Sequence, residues 1–436
     1  MNIKVKFSEL YYFLAVIGYI LTLVFTGFRP GLFGAALIMM VAVELLATNV
    51  IPSVKNGNKI GSIMSDVSLL DAVVALYFIY NLLSFIWLTG YGYPFSIYAE
   101  EFVASILPIV FYFVAIRTDD RKCEWYKRFL YAVILLGVVS ILLYAIAPQF
   151  YCDYLFRWNY ISKADAQTVR VRMESITGST VLSYLGVAAM SVSSYFMFDK
   201  EVMASKKRIL PYVMFVFSLV LVFMANGRAG MVAALLVIVY LNYIIIFKLK
   251  LVDKKFFYIE AGAIVLCFIA MLVITPGIVA KFSARLVSLP GAIGQRSEQW
   301  IAAANNMKGA WLGNGLGANG HKALPIEGAH VVADGGLVKL FCEEGCFGFG
   351  LFVYIMLVLF IKAIKNLEES YAELAVIMTA ILMSIGSNII AFQLCMPVFW
   401  FAAGIISHNT RMQNDMLLYA FKNRKINPET KDGGTR

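Results

Sequence analysis

Charge is scarce in this chain. Only 15% of its 436 residues are Asp, Glu, Lys or Arg, against roughly a quarter in soluble domains. Histidine occurs 3 times and cysteine 6 times. No Cys and His cluster stands at ligand spacing, so no metal site is legible. Cys342 and Cys346 lie one helical turn apart and suggest no disulfide framework. Acids are outnumbered by bases, 27 to 37. The turn from Phe25 to Gly31 has no acid, and no Asp-x-Asp pair occurs in the segments read below as outer loops. A metal-dependent lipid-sugar transferase would use such acids. There is also no strong internal repeat, and so no pair of similar halves of the kind many transporters carry.

Hydrophobic residues, by contrast, make up 61% of the chain. A bilayer core of about 30 Å takes about 20 apolar residues of helix. About twelve such runs can be read, near 8–26, 31–51, 66–88, 101–117, 129–148, 178–198, 209–225, 230–247, 256–275, 336–361, 372–391 and 393–407. The expectation is one all-α polytopic membrane domain over 1–407, followed by a polar cytoplasmic tail over 408–436 that reads as disordered. The first run follows Lys4 and Lys6 but lacks a convincing small-residue cleavage site, which reads as a retained anchor.

Orientation follows from the basic residues. With the N-terminus inside, about two thirds of the 37 Lys and Arg fall in inner segments. Dense examples are Arg117 to Arg128, Lys206 to Arg208 and Lys248 to Lys255. By the positive-inside rule both termini then face the cytoplasm. The net charge of +10 is accounted for by this rule and the basic tail, and gives no reason to expect nucleic acid.

One polar break of about sixty residues, 276–335, interrupts the apolar series and holds two of the three histidines, His321 and His330. Within it, Ile293 to Trp311 has helical character. Trp300, Ala304, Met307 and Trp311 recur at one-face spacing, which suits a helix lying on the membrane surface. Arg296 precedes Trp300 by one turn and reads either as a phosphate ligand or as a group snorkelling to headgroups. Upstream, Asn226-Gly227-Arg228-Ala229-Gly230 joins two spans through a tight turn. An arginine fixed there can grip phosphate bidentately or simply anchor the topology.

Further on, Gly315 to Gly320 matches the dinucleotide fingerprint in letters. No strand precedes it and no βαβ unit follows, so the segment reads as a ligand-facing or structural loop. His330 and Asp334 close the loop, just before a span containing Lys339, Glu343 and Glu344. A neutral imidazole near an aspartate can accept a proton from a hydroxyl. Ionisable groups inside spans, here also Glu44 and Asp71, are candidates for a cavity or for structural roles. Two more outer loops are expected, Pro148 to Gly178, with Arg170 and Arg172 among aromatics, and Gly90 to Glu101, aromatic and acidic.

The order of these features resembles the O-antigen ligase and polymerase superfamily, which includes the Wzy-type polysaccharide polymerases. It runs from an arginine turn and a span to a long outer loop with Arg296-x-x-x-Trp300 and Gly-x-Gly, and on to His330 and Gly345-x-x-Gly348. The resemblance covers about 209–365. Ligase-type members tend to place a His-Asn pair about eleven residues before the equivalent of Gly345. Asp334 stands at that distance here and His330 four residues earlier, a departure that favours polymerase and leaves both as candidate equivalents. The resemblance implies a C-type glycosyltransferase-like helical fold in the bacterial inner membrane. It implies metal-independent, inverting transfer of a growing O-antigen, capsule or exopolysaccharide chain, without cofactor, from undecaprenyl diphosphate to a hydroxyl of the next lipid-linked repeat unit. Arg228 and Arg296 would then hold the diphosphate, and His330 or Asp334 would serve the acceptor hydroxyl. Arg170, Arg172, Arg285, His321 and Glu343 would be acceptor-binding candidates. Expected partners are the undecaprenyl-diphosphate-linked oligosaccharide, membrane lipids, a chain-length regulator and a flippase. Two alternatives stand beside this reading: a ligase, differing only in acceptor, and a lipid-linked oligosaccharide flippase.

Overall fold

The computed structural model describes residues 6–25, 27–50, 68–117, 122–146, 150, 154, 173, 175–198, 209–251 and 289–409. Among these residues all regular structure is helical. In chain order the helices are α1 (Phe7–Leu21), α2 (Pro30–Leu45), α3 (Leu69–Leu83), α4 (Phe85–Gly90), α5 (Phe95–Glu101), α6 (Val110–Ile116), α7 (Lys122–Ile146), α8 (Ser179–Met197), α9 (Leu210–Ala225), α10 (Arg228–Asn242), α11 (Leu289–Asn305), α12 (Gly336–Lys365) and α13 (Leu367–Gly386). A last helix, α14, covers 396–409.

Eight helical stretches among the described residues are long and apolar enough to cross a membrane: Pro30–Thr48, Leu69–Gly90, Phe95–Ile116, Lys122–Ile146, Ser179–Met197, Arg228–Lys248, Gly336–Lys365 and Leu367–Gly386. This is the architecture of a polytopic membrane protein. Helices α1 and α9 are also apolar but shorter, with 15 and 16 residues. The expected run 256–275 lies outside the described residues, as does almost all of the tail. The expected acidic outer loop from Gly90 to Glu101 is shorter than the sequence suggested. Pro94, with φ −67°, opens α5 at Phe95, and Tyr98 and Phe102 stack one turn apart, so only 91–94 remain as a turn.

Helix α8 is the centre of the bundle, with 89% of its most apolar stretch buried, against 22% for α2. It packs against α7, α9, α10 and α13. Its sequence explains why: Ser179, Ser183, Gly186, Ala188, Ala189, Ser191, Ser193 and Ser194 are small, and small residues let helix backbones approach closely where lipid supplies no hydrophobic drive. At Gly186 an added Cβ would lie 2.8 Å from Val222 Cγ2 of α9.

Two acids inside expected spans have structural partners. Glu44 accepts hydrogen bonds from the backbone N–H groups of Phe7 and Ser8 at the start of α1, both 3.1 Å long. Asp71 forms a capping box with Ser68 at the start of α3 and accepts from the Tyr112 hydroxyl at 2.7 Å.

Helix α12 breaks at Gly345, whose φ of 64° and ψ of −171° suit glycine. A break frees backbone groups that must find other partners. The Gly-rich loop supplies them. Asn314 N and Gly315 N donate to the carbonyls of Cys342 and Glu343, each at 2.9 Å, while Cys346 N and Phe347 N donate to Ala310 O and Trp311 O. Gly313, with φ 71°, is pressed so tightly on this kink that an added Cβ would overlap the Glu343 carbonyl. The loop is thus a structural brace for α12, one of the two roles its letters allowed.

The long loop's helix ends at Asn305, earlier than the expected Trp311. Ala303 is buried and Ala304 exposed, while Trp311 is 74% exposed. Trp300, Ala303 and Met307 pack with Val332, Val338, Phe341 and Cys342. The apolar stripe therefore faces α12 and its preceding loop. A four-three-four spacing fits two adjacent faces of a helix, and tertiary contact selected Ala303 over Ala304.

Candidate functional site

A polar cavity of about 220 Å³ opens at one end of the bundle. It is lined by the start of α8 (Thr180, Ser183), the α9–α10 turn (Asn226 to Gly230), the end of α13 (Met383, Gly386, Ser387), Arg296 of α11, and Asp334. Arg228, Arg296 and Asp334, all expected from sequence to be site residues, thus surround one space.

The turn takes its shape from Asn226, which ends α9 in the left-handed region at φ 49°. Asparagine tolerates this conformation better than most residues. Gly227 follows as an N-cap with no side-chain hydrogen bond, and Arg228 begins α10. Arg228 is half-buried and has no ion-pair or hydrogen-bond partner for its guanidinium among the described residues.

Arg296 is differently placed. Its Nε and Nη2 both donate to Asp334 Oδ2, at 3.1 and 2.6 Å. Asp334 is itself held from several sides. The Trp300 indole N–H donates to the Asp334 carbonyl. Gly335, at φ 126°, allows that approach, because an added Cβ would overlap the indole. Asn388 Nδ2 donates to the carbonyls of Val332 and Ala333 at 2.8 and 3.0 Å, and Gly336 N donates to Ser387 O at 3.1 Å. The loop bearing Asp334 is therefore fixed between α11 and the end of α13. With two guanidinium groups and one carboxylate, the charged groups lining the cavity among the described residues sum to a net positive charge suited to an anion.

The other expected residues stand elsewhere. His330 is half-buried, and its carbonyl accepts from Asn319 Nδ2 at 2.7 Å, but the residue does not line the cavity. His321 is exposed and opens a short 3-10 turn, also away from the cavity. Glu343, expected near an acceptor, is 1% exposed and sits in a separate buried cluster. There Lys339 pairs with Glu101 and, at 3.5 Å, with Glu343, which also accepts from Asn319 N at 3.0 Å. Tyr93, beside this cluster, has its phenol raised above the ordinary value, first by burial and then by the Glu343 charge. Arg170, Arg172 and Arg285 lie outside the described residues.

Sequence reasoning missed the contributions of α8 and α13. Thr180, Ser183, Gly386 and Ser387 carry no motif. The one available signal was the i, i+4 serine pair Ser179 and Ser183 at the start of an apolar run. Compared with known proteins, the sequence matches no protein-family model and no curated protein.

Proposed function

We propose that this protein is a polysaccharide polymerase of the bacterial inner membrane, with both termini cytoplasmic and the cavity on the outer side. It transfers a growing glycan from undecaprenyl diphosphate to a hydroxyl of the next lipid-linked repeat unit. The observation that carries this reading is the convergence of Arg228, without a partner among the described residues, and Arg296, shared with one carboxylate, on a cavity at one end of a membrane bundle. The order of motifs along 209–365, which resembles the O-antigen ligase and polymerase superfamily, supports the same reading.

The chemistry follows from the charges. The acceptor oxygen attacks the anomeric carbon of the donor, and the bond from that carbon to the phosphate oxygen breaks with inversion. The departing diphosphate gains negative charge, which the guanidinium groups of Arg228 and Arg296 neutralise where water screens weakly. The proton of the acceptor hydroxyl passes to Asp334, the one carboxylate among the described residues that line the cavity. A ligase would use the same donor half with a different acceptor. Incubating the purified protein with undecaprenyl-diphosphate-linked repeat units tests the proposal. Chains longer than one repeat, with release of undecaprenyl diphosphate, are expected; intact starting lipid would oppose it.

A further inference from the structure

At the cavity wall, α10 presents its first turn. The N–H groups of Arg228, Ala229 and Gly230 precede the first backbone bond of the helix, from Met231 N to Gly227 O at 2.9 Å, so they have no carbonyl one turn earlier to bond. Gly227, the N-cap, has no side chain to cap them. A helix start of this kind carries partial positive charge and favours anions.

An independent observation comes from the neighbouring helix. Ser183 of α8 lines the same cavity and is 0% exposed, yet its hydroxyl has no hydrogen-bond partner among the described residues. Most buried hydroxyls are satisfied, and an orphan of this kind calls for an explanation. Its position supplies one. Ideal Cβ atoms built on Gly227 and Gly230 would lie 3.1 and 2.8 Å from Ser183 Oγ, so the hydroxyl rests directly against the first turn of α10. Glycine at both positions leaves that approach open. Ser191 and Ser194 of the same helix instead donate to Val187 O at 3.0 Å and to Ser191 O at 2.6 Å, while Ser193, also without a partner among the described residues, does not line the cavity.

We propose that the first turn of α10 and the Ser183 hydroxyl form a seat for one phosphate group, beside the guanidinium groups of Arg228 and Arg296. The backbone N–H groups and the Ser183 O–H donate to phosphate oxygens, and the arginines hold the remaining charge. Resting on the function proposed above, the occupant is one phosphate of a polyprenyl diphosphate. Inorganic pyrophosphate and a phospholipid headgroup share part of that chemistry.

The test uses the full-length protein in nanodiscs of zwitterionic lipid, with binding measured for undecaprenyl diphosphate, inorganic pyrophosphate and phosphatidylglycerol. Ser183→Ala removes one hydrogen bond to a charged group without adding volume. It is expected to weaken both diphosphate ligands roughly tenfold. Ser191→Ala, on the same helix and already bonded to its own backbone, is expected to bind as wild type. Thermal unfolding of both variants at the wild-type temperature would show that Ser183 acts on the ligand and not on the fold. Wild-type affinity for both diphosphates in Ser183→Ala, with binding lost in Arg228→Ala, would overturn the seat and leave the proposed function standing. Weakened pyrophosphate binding in Ser183→Ala, in a wild-type protein that prefers phosphatidylglycerol to undecaprenyl diphosphate, would uphold a phosphate seat and overturn the diphosphate-lipid reading. No binding of any of the three by wild type would overturn both.

Discussion

Arg296 and Asp334 are 38 residues apart in sequence, and two guanidinium nitrogens of the first converge on one carboxylate oxygen of the second. Their side chains are 31% and 42% exposed, so the pair contributes about 0–1 kcal/mol to stability. It is too weak to serve as a staple of the fold. Its consequence for chemistry is larger. A guanidinium held by Asp334 is the group a diphosphate must share, and the carboxylate oxygen it holds already accepts two hydrogen bonds. On the proposed function, donor binding draws Arg296 toward the phosphates and frees Asp334 for the acceptor proton. Donor occupancy then precedes acceptor activation.

Asp334→Asn separates these roles. The variant should unfold at nearly the wild-type temperature and bind undecaprenyl diphosphate at least as tightly, because Arg296 loses its competitor. Glycan transfer should fall by about 10²–10⁴-fold, the usual contribution of a general base. Parallel donor-binding and turnover measurements decide it, and near-normal turnover would remove Asp334 from the mechanism.

Arg228→Ala should lower transfer by about 10²-fold or more, comparable to loss of a preorganised charge-stabilising group. Lysine at this position should recover little, since a point charge cannot reproduce the guanidinium fork. The unpartnered state of Arg228 makes the variant clean, for no ion pair among the described residues is broken. Protein level and melting temperature should stay close to wild type. A fully active lysine variant would argue for simple charge attraction.

His330 offers the opposite contrast. The sequence left it beside Asp334 as a candidate to serve the acceptor hydroxyl, yet it does not line the cavity. His330→Ala should therefore reduce transfer by less than about tenfold. Rates for the two single variants, measured with the same lipid-linked substrate, would show which residue serves the hydroxyl. A His330 defect as deep as that of Asp334→Asn would restore the histidine to the site.

Gly345→Ala tests the brace between the Gly-rich loop and α12. Its backbone lies in a region that suits glycine, and a Cβ would also overlap the backbone of Trp311 and Gly313. Strain of this type costs about 1–3 kcal/mol before the overlap is counted. The variant should unfold several degrees lower in detergent and lose activity with its fold. An unchanged unfolding temperature would mean that the kink is readily remodelled.

Much of this molecule was legible in its sequence, and the limits have physical causes. Apolar run length located most of the helices, because a bilayer core sets how many residues a span needs. Arg228, Arg296 and Asp334 stood out because charge is rare in this chain. Their pairing was not legible, since contact between Arg296 and Asp334 depends on how α11 packs on α12. The same packing moved the buried stripe from Ala304 to Ala303, and the approach of α5 to α12 placed Glu101 in a cluster with Lys339 and Glu343. Ser183 gave only a weak signal for a different reason: a serine in a small-residue helix reads as packing until its hydroxyl is found without a partner among the described residues.

The central claim is that two arginines support transfer from a lipid diphosphate, and one reconstituted reaction tests it most directly. Wild type, Arg228→Ala and Arg296→Ala would each be incubated in EDTA with undecaprenyl-diphosphate-linked repeat units. Extended glycan and released undecaprenyl diphosphate would be quantified together. The account predicts that wild type forms polymer with one undecaprenyl diphosphate released per bond, and that both variants form little of either. Equal polymer from all three proteins, or polymer from wild type only after divalent metal is restored, would contradict it.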